Sequence, residues 1–144
     1  MITLKMKQLR DPQFMGAMQK LSTLDLPHKS AYTVAKIFNK LISEAKIEAE
    51  LFKKIVLRYA VLDDKGEIKT PEGKEHGAFE IIEGKEEEYQ KAINEHLEGE
   101  FTIEWRKITL AELEGTKLRA LDFVPLSDII DEKEALKVIP GGLN

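Results

Sequence analysis

The chain has 144 residues, 42% hydrophobic and 33% charged, with 22 Lys and Arg against 26 Asp and Glu for a net charge of -4. That balance belongs to one folded domain and not to a disordered chain, and it excludes nucleic-acid binding driven by an excess of positive charge. Cysteine is absent, which excludes disulfides, thiolate metal sites and cysteine nucleophiles.

The opening MITLKMKQLRDPQF lacks the apolar core of a signal peptide, and no stretch reaches the roughly 18 apolar residues of a membrane span. A cytoplasmic protein without membrane contact is expected. Ile2, Leu4 and Met6 alternate with polar residues and predict a short strand. Asp11 followed by Pro12 marks a helix start, with Phe14, Met15, Met18 and Leu21 on one side of the helix. Leu24 and Leu26 are expected to pin the following connection to the core.

From Pro27 the pattern is helical as far as Tyr59, without an internal glycine or proline. One stripe uses Tyr32, Val34, Ala35, Phe38, Leu41, Ile42 and Ala45, followed by Phe52, Ile55, Val56 and Tyr59, and a second uses Ile37, Ile47, Leu51 and Leu62. A helix of roughly 33 residues would be about 50 Å long, so it either projects or breaks near Ser43 to Lys46. The second stripe fits a returning helix or an identical subunit. Asp63 to Gly66 is a turn signal. Beyond it, 67–69 and 76–82 form either a small ribbon around the turn containing Pro71 and Gly73 or an irregular loop.

Lys85 to Leu97 predicts a further helix, stopped by Gly99. Phe101, Ile103 and Trp105 alternate with polar residues as the strongest strand in the chain, and its expected partner is the N-terminal strand. Thr109 and Glu112 have capping-box spacing. Between Leu118 and Ile130 seven of thirteen residues are Leu, Ile, Val or Phe, read as a cover for the core or as an interaction patch. Ser127 is placed to cap a turn over 128–130.

The sequence offers no catalytic constellation. His28, His76 and His96 share no helical turn, and His96 near Gly99 reads as a residue complementing a helix C-terminus. The serines lack a nucleophile elbow, and Asp63, Asp64 and Glu67 make only a fragment of a calcium loop. The lysines of the long helix alternate with Glu44, Glu48 and Glu50, the pattern of a solvated, salt-bridged face. No cofactor and no metal are expected. Protein contact is the better-supported use. Glu86, Glu87 and Glu88 offer an acidic surface able to steer a partner, and Leu118, Leu121 and Phe123 offer apolar contact area. Tyr32, Tyr59 and Trp105 are candidate anchors.

The segments LPHKSAYTVAKIFNKL, GKEEEYQKAINEHLEGEF and TIEWRKITLAELEG leading to KLRALDF resemble, in their order, small helical accessory proteins of tailed bacteriophages. The resemblance covers Leu26 to about Ile130 and implies a helical accessory factor that binds host machinery or takes part in particle assembly. It carries over no catalytic or binding residue.

Together these readings predict an α+β fold. A long helix packs with shorter helices and a small antiparallel sheet formed by the chain ends, over one domain at 1–130 with a tail at 131–144. The expected function is non-catalytic protein binding, with a host complex such as the transcription machinery as partner. Self-association through the long helix is the alternative, and direct nucleic-acid binding comes third.

Overall fold

A computed structural model describes residues 1–75 and 77–131. The expected tail lies, apart from Asp131, outside the described residues, as does His76. The architecture is α+β, as expected: β1 (Ile2–Lys5), α1 (Met6–Leu9), α2 (Pro12–Ser22), α3 (His28–Tyr59), α4 (Glu86–Glu98), β2 (Glu100–Ile103), β3 (Ile108–Thr109), a 3-10 turn (Leu110–Leu113), α5 (Ala120–Phe123), a second 3-10 turn (Val124–Leu126) and β4 (Ile130–Asp131). The described residues divide into two compact units. One comprises Met1–Ala45 and the residues from Glu100 on, the other Lys46–Gly99, and the chain of α3 contributes to both.

In the first unit β1 pairs antiparallel with β2, setting Ile2 against Ile103, Thr3 against Thr102, Leu4 against Phe101 and Lys5 against Glu100. The pairing is the one that the alternation of apolar residues predicts. Ile2, Leu4 and Ile103 are buried while Thr3 and Glu100 face outward. Each such buried aliphatic side chain contributes about 1.5–3 kcal/mol. Two details differ from expectation. Met6 begins α1 instead of continuing the strand, and Trp105 lies past the end of β2, half-buried against the core.

Asp11 caps α2, its Oδ1 accepting from the Gln13 N–H at 2.9 Å, and Pro12 occupies the first turn, where its missing N–H costs nothing. Phe14, Ala17, Met18 and Leu21 form the buried stripe of α2. They meet Val34, Ile37 and Leu41 of α3 in one cluster with Ile2, Leu4, Leu126, Ile129 and Ile130. Ile37 therefore belongs to the core and not to a separate stripe. Leu24 and Leu26 pack against the same cluster, as their apolar character implies.

α3 is one helix from His28 to Tyr59, without a break near 43–46. Thr109 and Glu112 form the capping box that their spacing announces. The chain near Ile130 departs from expectation. A turn does form, but over 127–129, where the Ile129 N–H donates to the Leu126 carbonyl at 2.9 Å, and Ile130 then begins β4, which pairs parallel with β3, Ile108 opposite Ile130 and Thr109 opposite Asp131. Strands of two residues are too short to show alternation.

In the second unit Asp63 Oδ1 accepts from the N–H groups of Lys65 and Glu67, closing the expected turn, with Gly66 at a positive φ of 79°. Among the described residues 67–69 do not pair with 77–82. Leu62 bridges to Ile68 and Ala60 to Ile81, so both partners sit on the extension of α3. α4 ends at Glu98 because Gly99 turns extended, with φ -59° and ψ 143°, and leads directly into β2.

Candidate protein-contact surfaces

The segment from Leu118 to Ile130 is both cover and patch. Leu126, Ile129 and Ile130 are buried in the core, and Leu118 and Phe123 are half-buried against it. Leu121 and Val124 point the other way and are 75% and 72% exposed. Of the three apolar residues proposed for contact, Leu121 is thus presented to solvent, while Leu118 and Phe123 serve mainly to seat the segment.

Leu121 and Val124 stand on the rim of an open groove of about 460 Å3 between α2 and α5, with Gly16 and Ala17 on the α2 side. A Cβ added at Gly16 would meet nothing within 4 Å, so the glycine leaves the α2 side of the groove open. Asp122 ties the rim in place. Its Oδ2 accepts from Lys20 Nζ at 2.9 Å and from the Arg119 N–H at 2.9 Å. These donors, Lys20 first, hold the Asp122 carboxyl down at about 2. Short α5 would be marginal alone; the Lys20–Asp122 bond joins it to α2.

A second, larger cleft of about 930 Å3 lies between the 23–30 connection and the 111–117 turn, with Ser30 and Glu112 among its lining residues. Glu112 is fully engaged. Arg106 donates to both its oxygens, at 2.7 and 2.9 Å. The Thr109 N–H donates at 2.8 Å and Ser30 Oγ at 3.0 Å. Arg106 above all holds this carboxyl at about 2. A carboxylate so weakly basic is poorly suited to take a proton near neutral pH. Its role is to fasten the Thr109 turn to the start of α3.

The acidic surface is the first turn of α4. Glu86, Glu87 and Glu88 are all exposed, and Glu88 lies 3.4 Å from Lys85 Nζ. Three consecutive helical residues fan roughly 100° apart, so the carboxylates do not converge. Their charge complements the positive helix N-terminus, which explains their position without a ligand.

Glu48 and His96 are the pair that sequence reasoning missed. Glu48 sits not on the solvated face but inside the second unit, its side chain 3% exposed, with Oε2 2.8 Å from Nε2 of His96, itself 9% exposed. Phe52 meets the imidazole edge-on, with ring centroids 6.0 Å apart. The pair is nearly closed to solvent and clamps α4 to α3. Glu48 does share the inner helical stripe with Leu41, Ala45, Phe52 and Val56; its charge hid that membership. Among the described residues no group of three or more His, Asp or Glu is placed to hold a metal ion.

The candidate anchors occupy different settings. Tyr59 and Phe79 each meet Tyr89 edge-on within the second unit. Tyr32 is half-exposed on α3, with Lys36 Nζ 5.3 Å from its ring and 5.8 Å from that of Trp105.

Comparison with known proteins found no family model, no curated protein and no solved structure that matches the chain. The surfaces must therefore be read from their own chemistry. No helix among the described residues is long and apolar enough to cross a membrane.

Proposed function

We propose that the chain is a non-catalytic accessory protein that binds another protein through the α2–α5 face. The reading rests on Leu121 and Val124, two large apolar side chains held outward by a segment whose other large apolar residues, Leu118, Phe123, Leu126, Ile129 and Ile130, pack in or against the core. Apolar side chains on a tied-down rim, above a groove left open by a glycine, suit a partner's apolar side chain. The acidic turn of α4 would add steering of a basic partner and little affinity. Taken with the resemblance to phage accessory proteins, the partner class is a host enzyme complex such as the transcription machinery.

Affinity capture with the full chain tests this. Leu121→Asp with Val124→Asp is expected to abolish capture of a defined protein, and Gly16→Leu, which fills the groove, to weaken it at least tenfold. Reversing the charges of Glu86, Glu87 and Glu88 should slow association without abolishing it. Capture unchanged by the Leu121 and Val124 substitutions, or absent from the wild type, overturns the reading.

A further inference from the structure

α3 carries a second regular stripe that the described residues leave largely exposed. Lys40, Glu44, Ile47, Leu51, Lys54 and Arg58 follow one another at alternating steps of four and three. This is the spacing of a coiled-coil seam. The stripe lies one residue, hence roughly 100°, around the helix from the inner stripe of Leu41, Glu48 and Val56. At its centre Ile47 is 51% and Leu51 40% exposed. Lys40, Lys54 and Arg58 are exposed, and Glu44 is half-buried with its carboxylate 3.0 Å from Lys40 Nζ.

We propose that this stripe pairs with the same stripe of a second copy, antiparallel, about a twofold axis between Ile47 and Leu51. An isologous contact brings each residue of a pair against the other's symmetry mate. In this register Ile47 meets the second copy's Leu51 twice, and Glu44 meets its Lys54 twice. Shifting the register by one layer in either direction sets Ile47 or Leu51 against a charged residue. Parallel pairing sets Glu44, Lys54 and Arg58 each against its own like charge. The order of charges along the seam therefore selects one occupant, one direction and one register. Glu50 flanks the axis and approaches its own symmetry mate, and the outermost layer sets Lys40 beside Arg58. Those like charges, with only two apolar layers, make the pair weak and dependent on concentration.

The proposal stands apart from the α2–α5 reading, because it uses a different element and a different partner. Its test is sedimentation equilibrium of the full chain from about 10 to about 500 µM, a range over which mass action resolves a weak dimer. Monomer and dimer are expected in exchange. Leu51→Glu should leave only monomer, with circular dichroism showing the helix content retained. Lys54→Glu should weaken the dimer at least fivefold, and adding Glu44→Lys should restore it, which parallel pairing forbids. The chain has no cysteine, so register can be read directly by oxidation. Glu44→Cys and Lys54→Cys chains should cross-link when mixed and not alone. A monomer throughout the range, a dimer indifferent to Leu51→Glu, or cross-linking of either cysteine variant with itself alone overturns the proposal.

Discussion

The two compact units solve the problem of a small core differently. The first gathers strands, α2 and the start of α3 around fully buried aliphatic side chains and Phe14, and keeps its ion pairs at the rim, where Glu112 and Asp122 fasten short turns. Among the described residues of the second, only Val56, Ala60 and Ile93 are buried hydrophobics. A buried carboxylate–imidazole pair and half-buried rings make up the rest. Apolar packing tolerates small shifts, whereas a buried polar pair is stabilising only while both partners are present. The second unit should therefore be the more brittle of the two.

The largest effect is expected in the first unit. Phe14→Ala removes a ring that is 1% exposed and should cost about 3–5 kcal/mol in denaturant unfolding. Next comes the polar clamp. Glu48→Ala leaves the buried His96 ring facing an empty position, and a loss of about 2–3 kcal/mol is expected. Replacing both, Glu48→Leu with His96→Leu, should cost less than the single change. Hydrogen exchange sharpens the comparison: Glu48→Ala should speed exchange in α4 and leave β1 protected. Equal loss of protection in both would show one cooperative unit and end the distinction.

The rim carboxylates predict the response to acid. Glu112 is lowered from 4.5 to about 2 and Asp122 from 3.8 to about 2. A lowered folded-state value means that the stabilisation is complete above the unfolded value and is lost as pH falls toward the folded one. Thermal midpoints should hold above about pH 5 and drop between about pH 4.5 and pH 2. Glu112→Gln should cost about 1–3 kcal/mol at neutral pH and flatten that acid slope. A slope unchanged in Glu112→Gln would place the acid sensitivity elsewhere. The smallest effect is a gain. Gly16→Ala adds a methyl to an exposed helix interior with nothing within 4 Å and should stabilise by about 0.5–1 kcal/mol. A loss instead would mean that α2 needs the glycine.

Sequence alone determined the features in which neighbouring residues decide the outcome. The Asp11-Pro12 helix start, the Thr109–Glu112 box and the Asp63–Gly66 turn all depend on local hydrogen bonds, whereas periodicity left open whether α3 breaks near 43–46 and the structure shows it continuous. Alternation within 2–5 and 100–103 was strong enough to pair two strands far apart in the chain. Tertiary structure decided whatever depended on which side a residue faced. It buried Glu48 against His96, because a charged residue on an apolar stripe signals burial only once its partner is in place. It also divided Leu118–Ile130 between core and surface, and joined two-residue strands too short to carry a pattern of their own. Local free energies act within a few residues along the chain, whereas the choice of face is made by the packing of elements that lie far apart in it.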